Sequence, residues 1–136
     1  MLGGLLSAHY LTSTHTNPTI RADATLYLDK ATDLGDRLLA AFDTPSGIPL
    51  SSINLAKRQG VPDKANHGVA STAEAATVQL EMKYLSHLTG DWGYWRKAER
   101  VSEVVRAQAV HDGIVPIFIS YVELVSAVKE CHVALG

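Results

Sequence analysis

Apolar residues recur along this chain mostly at the spacing of amphipathic helices, and four helical segments are predicted. The first is Leu2–Leu11, and the second begins after Asp23, which can cap it. Between these two helices the polar stretch Thr12–Arg21, broken by Pro18, predicts a loop. The apolar stripe of the second helix consists of Tyr27, Ala31, Leu34, Leu38, Ala41 and Phe42.

The third helix, Thr72–Leu88, carries two apolar rows, and such a helix is usually packed on two sides. Ser71 and Glu74 have the S-x-x-E spacing of a capping box at its beginning. Gly90 supplies the left-handed residue that ends it, and the fourth helix, Asp91–Val110, is capped by its first residue. The rows are Ala75, Val78, Met82 and Leu85 on one side and Ala76, Leu80, Tyr84 and Leu88 on the other.

The remaining pattern favours an all-α fold, because no convincing strand pattern lies between the helices. Thr44–Ala70 is a long connection rich in Pro and Gly, and connections of this length are often functional or mobile. Gly35 lies inside the second helix, where it costs about 1 kcal/mol relative to Ala and so indicates close packing. The similar stretches Tyr27–Ala31 and Tyr94–Ala98 suggest consecutive αα hairpins, in a toroid or a solenoid.

Length and composition describe one ordinary globular domain of 136 residues, with 46% hydrophobic and 19% charged residues. The net charge of −2 gives no reason to expect nucleic acid or an anionic membrane as a partner. Cys131 is the only cysteine, which excludes an intrachain disulfide and a cysteine zinc site. No apolar run reaches the roughly 18 residues of a membrane span, and Met1–Leu6 lacks the basic region of a secretory signal.

A series of short motifs narrows the class of protein. In order along the chain they are Leu2–Ala8, Lys30–Ala31, Arg37–Leu39, Ala41–Pro49, Asn54–Leu55, Ser71–Asp91 and Asp112–Pro116. Together, at this spacing, they resemble the class I α-1,2-mannosidases of glycoside hydrolase family 47 over about residues 2–120. The sequence is therefore interpreted as a partial family domain, residues 1–120, followed by a tail, residues 121–136, that does not resemble the family.

The resemblance implies a specific fold and activity. The chain would form part of an (αα)7 barrel that removes α-1,2-linked mannose from high-mannose N-glycans in the endoplasmic reticulum or Golgi. The reaction would invert the anomeric centre, which needs two carboxyl groups roughly 6.5–9.5 Å apart with a water between base and sugar. A calcium ion at the barrel floor would bind sugar hydroxyls, within a shell of about six to eight oxygens.

The family motif F-E-x-x-I-R, which carries the acid carboxylate and a substrate-binding arginine, does not occur in these 136 residues. The other catalytic carboxylates and the calcium-binding threonine belong to a later part of the family domain. The resemblance therefore assigns no catalytic residue and no metal ligand to this chain, and we expect the isolated chain to be inactive. The alternatives are a non-catalytic αα-hairpin interaction module and a remnant that binds mannose without cleaving it.

Four groups of residues are candidates for substrate contact. The resemblance places a sugar-contacting glutamate at Glu74, although capping alone is a sufficient role for it. Glu81, two turns further on, is either a second pocket carboxylate or, the preferred reading, a surface or structurally paired residue. Pro45–Pro49, followed by Ser52–Asn54, is a substrate loop or a rigid turn. The aromatic residues Trp92, Tyr94 and Trp95 are read as hairpin-turn packing, with a sugar-stacking platform as the alternative.

The other polar residues are predicted to be structural or exposed to solvent. Arg96, Lys97, Glu99 and Arg100 are expected to form a solvated helix face, and Cys131 has no recognisable catalytic partner. The histidines have no spacing of a helical metal site and are read as structural or exposed; they are His9, His15, His67, His87, His111 and His132.

Overall fold

The computed structural model describes residues 1–62, 67–108 and 114–122. Its helices are α1 (Leu2–Ser13), α2 (Pro18–Ala22), α3 (Ala24–Leu38) with a 3₁₀ turn at Leu39–Phe42, α4 (Thr72–Thr77), α5 (Gln79–Thr89) and α6 (Trp92–Ala107). Its strands are β1 (Ser52–Asn54), β2 (Gln59–Val61), β3 (Val69–Ser71) and β4 (Phe118–Ser120). None of the described helices is long and apolar enough to cross a membrane.

The prediction of a loop between the first two helices is wrong in part, because α2 lies there. Proline is favourable at the first position of a helix, where its missing N–H would have no partner, and Pro18 has that position. Asn17 Oδ1 accepts a hydrogen bond from the Thr19 N–H at 2.9 Å and caps the helix. Asp23, expected to cap the next helix, precedes α3 in helical conformation and its side chain makes no cap bond.

The third predicted helix is two helices, α4 and α5, which meet at Val78. The capping box at its beginning is also wrong, since the Ser71 side chain makes no cap bond. Ser71 ends β3, and the N–H of the next residue, Thr72, donates instead to the Ile117 carbonyl at 2.9 Å. The Thr72 N–H, one of the first four donors of α4, is thus satisfied by the partner strand.

Short strands correct the expectation that the chain is all-α. The strands β1 and β2 form one antiparallel pair, with Ile53 opposite Gly60, and β3 and β4 form a second, with Ala70 opposite Ile119. Each strand has three residues, too few for the alternation of apolar and polar positions that reveals a strand in a sequence. The fold remains dominated by helices, in which α1 packs on α3 and α5 packs on α6.

The core lies where α3, α5 and α6 meet. Gly35, Leu85 and Tyr94 are buried at this point, and a Cβ atom on Gly35 would overlap the Leu85 side chain and lie 3.2 Å from the Tyr94 ring. The close packing predicted at Gly35 is therefore confirmed. Gly90 has the left-handed conformation expected of it, and Asp91 Oδ1 accepts from the Gly93 N–H at 2.7 Å, which confirms both helix-end predictions.

The two apolar rows of the third predicted helix differ in burial. In the first row Ala75, Met82 and Leu85 are at most 2% exposed. In the second row Leu80 is 77% exposed, whereas Tyr84 and Leu88 are half-buried and pack against the core. Packing on two sides, as the rows suggested, is therefore found in part: the second row is covered at Tyr84 and Leu88 and open at Leu80.

Candidate functional site

Glu74 lies in the first turn of α4, at the edge of a groove of about 160 Å³. Its carboxylate is exposed, and Oε2 accepts a hydrogen bond from Ser51 Oγ at 3.1 Å. Pro49 and Ser51 line the groove together with the apolar side chains of Val78 and Met82. The structure thus brings Glu74 together with the end of the Pro45–Pro49 loop, the two features for which sequence reasoning suggested substrate contact.

The Pro45–Pro49 loop is a rigid turn, as the alternative interpretation had it, and it also borders the groove. Thr44 Oγ1 donates to the Ile48 carbonyl at 2.8 Å, and the Ile48 N–H donates to Ser46 Oγ at 3.2 Å. Ile48 and Ser46 are at most 1% exposed, which explains the need for these internal bonds. Gly47, with a φ of 84°, provides the left-handed position that the turn requires.

The segment after the loop, Ser52–Asn54, is strand β1 of the β1–β2 hairpin, and only part of it lines the groove. Asn54 Oδ1 accepts from the Lys57 N–H at 3.0 Å, so this side chain serves the hairpin turn. Arg37 donates to the Leu55 carbonyl at 3.1 Å and to the Asp33 carboxylate, clamping the hairpin to α3. The hydrogen bond from Arg37 lowers the pKa of Asp33 and raises that of Arg37 itself.

Glu81 lies between two open grooves, close to the beginning of α1. Its Oε1 is 3.1 Å from the place that a Cβ on Gly3 would occupy, so only a glycine leaves room there without adjustment. Within the described residues Glu81 forms no ion pair, so of the preferred interpretation, a surface or structurally paired residue, the pairing is not found. The larger groove, about 650 Å³, is apolar and is lined by Leu6, Ser7, Tyr10, Leu11, Leu80 and Tyr84 besides Gly3 and Glu81.

The three aromatic residues at the start of α6 do not form one platform. Tyr94 is 1% exposed, and its hydroxyl donates to Asp36 Oδ1. Burial chiefly, with the Asp36 contact, raises the pKa of Tyr94. Trp92 and Trp95 remain partly exposed and meet edge-to-face, with ring centroids 6.1 Å apart. Because Lys83 Nζ lies 4.7 Å from the Trp95 centroid, this ring packs against a side chain of its own hairpin, as sequence reasoning preferred.

Charged residues on α6 face solvent in ion pairs, as expected of the charge run. Lys97 Nζ is 2.9 Å from Asp43, and Glu99 accepts from Lys83 at 2.7 Å and from Arg106 at 2.8 Å. The Lys83 hydrogen bond is the main cause of the lowered pKa of Glu99. Among the described residues no group of three or more His, Cys, Asp and Glu side chains is arranged to hold a metal ion. The candidates His111, Cys131 and His132 lie outside the described residues.

The family model described as glycosyl hydrolase family 47 matches residues 1–134. The chain belongs to this family. It is 48% identical over 120 residues to a mannosyl-oligosaccharide 1,2-alpha-mannosidase of Candida albicans. It is likewise 48% identical over 123 residues to the endoplasmic reticulum mannosyl-oligosaccharide 1,2-alpha-mannosidase of Saccharomyces cerevisiae. These alignments cover 88% and 87% of this chain, respectively.

The fold agrees with this membership. The alpha-1,2-mannosidase from Trichoderma reesei superposes with a TM-score of 0.67 at 30% sequence identity, over 88% of this chain and 25% of that one. The chain spans only 20% and 22% of the length of the Candida and Saccharomyces relatives. The family match extends to residue 134, past the boundary drawn at residue 120. Since residues 123–136 lie outside the described residues, that boundary stays a prediction.

Sequence reasoning missed Ser51, the residue that contacts Glu74. The two residues are 23 positions apart, and Ser51, which lies between a leucine and another serine, belongs to no recognisable sequence pattern. The only usable signal was its place directly after the Pro45–Pro49 loop and before Ser52–Asn54, both of which had been singled out.

Proposed function

We propose that this chain is a helical segment of an α-1,2-mannosidase and that it contributes Glu74 to the binding of a mannose residue. The observation that carries the proposal is the exposed Glu74 carboxylate at the edge of a groove with apolar walls, beside a rigid loop. A carboxylate accepts hydrogen bonds from sugar hydroxyls, and apolar walls suit the C–H face of the ring. Both of these relatives are named as mannosyl-oligosaccharide mannosidases, which supports the same substrate class.

In the whole protein we assign this segment to an (αα)7 barrel that hydrolyses α-1,2-linked mannose of high-mannose N-glycans with inversion. Two carboxyl groups that flank the scissile bond would act as acid and base. Because the acid-bearing F-E-x-x-I-R motif is absent from these 136 residues, we expect the chain alone to release no mannose. We assign the whole protein to the endoplasmic reticulum, the organelle in the names of several relatives.

The resemblance assigns the calcium ligand of the whole enzyme to a threonine in a later part of the family domain. That ion needs about six to eight oxygen ligands, which sugar hydroxyls and waters can partly supply. We therefore propose no calcium ligand among these 136 residues and derive no step of the reaction through the ion.

A segment replacement tests the proposed role of Glu74. The part of the Saccharomyces cerevisiae enzyme that aligns with this chain is exchanged for the chain's own residues, a change between 48% identical sequences. We expect the hybrid to release mannose and Glu74→Gln to lower kcat/KM about tenfold to a hundredfold, the range for hydrogen bonds to charged groups. Glu103→Gln is the matched control, because Glu103 is exposed on α6 and pairs with Arg100 only at 3.3 Å.

Two results would contradict this proposal. A Glu74→Gln hybrid as active as its parent would remove Glu74 from the substrate site. Release of mannose by the isolated chain would show that the missing motif is not needed. Binding of α-1,2-mannobiose by the isolated chain without release would favour the mannose-binding remnant instead.

The second candidate function, a non-catalytic interaction module, is favoured by one observation. The groove between α1 and α5 is apolar and open, and Leu11 and Leu80 on its walls are 65% and 77% exposed. Exposed apolar area of this kind marks a surface that another protein segment covers. Capture of a protein partner by a chain that ignores mannobiose would support this candidate.

A further inference from the structure

We propose that Ser51 is a positioning residue for Glu74, holding one carboxylate oxygen and leaving the other for a sugar hydroxyl. The inference rests on the proposed role of Glu74 in sugar binding. Ser51 Oγ donates to Glu74 Oε2 at 3.1 Å across 23 positions of the chain. Both side chains are exposed, so no buried polar group requires this contact for its own satisfaction. The bond lies at the edge of the groove, where it fixes the direction of the carboxylate.

The donor is held in place by the backbone on both sides. One residue earlier, the Leu50 N–H donates to the Ala41 carbonyl at 2.9 Å, which ties the loop to the 3₁₀ turn after α3. One residue later, Ser52 begins β1 and pairs with Val61. With anchors on either side, the Ser51 backbone has little freedom, and its hydroxyl is presented at a fixed place.

The acceptor, Glu74, has a fixed backbone and a flexible side chain. At the start of α4, Thr72 Oγ1 donates to the Pro116 carbonyl at 2.6 Å and the Thr72 N–H donates to the Ile117 carbonyl at 2.9 Å. The Glu74 backbone, two residues on, is thereby fixed, but a glutamate side chain retains several rotamers unless something selects one. Within the described residues the hydroxyl of Ser51 is the side-chain donor that does so.

The division between the two carboxylate oxygens follows from their chemistry. An ionised carboxylate only accepts hydrogen bonds, and it can do so at both oxygens. Oε2 is engaged by Ser51, whereas Oε1 has no hydrogen bond to any described residue. A preset rotamer means that the ordering cost is met before the sugar binds, which strengthens binding without an additional contact.

Kinetics of the segment-replacement enzyme test the inference. We expect Ser51→Ala to lower kcat/KM roughly two- to tenfold, the range for one neutral hydrogen bond, and Ser51→Thr, which retains the hydroxyl, to restore it. The matched control is Ser13→Ala, which removes an exposed serine hydroxyl that donates to the Tyr10 carbonyl at 2.9 Å. A merely structural bond would instead lower the thermal midpoint of Ser51→Ala and leave kcat/KM unchanged.

A second readout needs no sugar and uses the 136-residue chain. Three-bond NMR couplings along the Glu74 side chain should report one dominant rotamer in the parent and in Ser13→Ala, but averaged rotamers in Ser51→Ala. Averaged couplings already in the parent would overturn the inference. Equal kcat/KM for Ser51→Ala and parent, with Glu74→Gln still impaired, would overturn it as well and leave the proposed function intact. Full activity of Glu74→Gln would remove the proposed function, and the couplings would still decide whether Ser51 orients Glu74.

Discussion

The two sides of α5 contrast sharply although their sequences are alike. On the side facing α3 and α6, Leu85 is fully buried against Gly35 and Tyr94. On the side facing the α1 groove, Leu80 is 77% exposed next to Leu11. Both sides carry apolar residues at helical spacing: Met82 and Leu85 on the first, and Leu80, Tyr84 and Leu88 on the second. The difference shows that an apolar row reveals which residues seek burial, while the neighbouring elements decide which of them achieve it.

The largest effect that tests this contrast is expected from truncating one leucine on each side. Leu85→Ala should lower the free energy of unfolding by about 2–5 kcal/mol, because it leaves a cavity in a fully packed site. Leu80→Ala, the matched control on the same helix, should change it by less than about 0.5 kcal/mol. Urea unfolding followed by circular dichroism measures both. Equal losses would mean that the α1 side is also packed in solution.

Glycine substitutions sharpen the contrast at a smaller scale. Gly35→Ala gains about 1 kcal/mol of helix propensity, but its methyl group overlaps Leu85 and overpacking costs about 1–3 kcal/mol, so a net loss is expected. Gly4→Ala, in α1 with no atom within 4 Å of the new methyl group, should stabilise by up to about 1 kcal/mol. The same unfolding assay applies to both variants.

The cause of the loss at Gly35 can be isolated with a double variant. If overlap with Leu85 is responsible, Gly35→Ala should no longer destabilise when it is added to Leu85→Ala, because the space has been vacated. An identical loss in both backgrounds would instead point to the Tyr94 ring, 3.2 Å from the added methyl group.

Some local signals were read correctly from the sequence, whereas the strand pairings, which depend on distant residues, were not. Gly90 and Asp91 were predictable because their effects reach only residues within one or two helical turns, such as Ser86 and Gly93. The end of β3 at Ser71 was missed because its partner strand, in which Phe118 lies opposite Ser71, is far along the chain. No short-range pattern carries that information.

The candidate site follows the same rule. Glu74 was located through a motif, and the Pro45–Pro49 loop through a second motif, each contained in one short stretch. That they meet at one groove, and that Ser51 makes the contact, depends on how β1 and α4 are anchored. The sequence contains both motifs, but only the fold shows that they lie side by side.

The smallest change in the free energy of unfolding is expected at the open groove between α1 and α5. The same substitutions should have the clearest effect on dye binding and self-association. The double variant Leu11→Gln/Leu80→Gln should change the free energy of unfolding by less than about 1 kcal/mol, because both side chains are mostly exposed already. It should reduce binding of a fluorescent dye for apolar surfaces and reduce self-association in sedimentation, since the apolar patch loses its two most exposed leucines.

Leu26→Gln is the control for this experiment, because Leu26 is 54% exposed on α3 but does not line the groove. If Leu26→Gln reduced dye binding as much as the double variant, exposure alone, rather than the shape of the groove, would govern the surface behaviour. If only the double variant does so, the apolar row that α5 leaves uncovered acts as one continuous surface with the end of α1. The two rows would then be equivalent in their need for burial and different in how far the described residues meet it, since Leu80 stays open while Leu85 is covered.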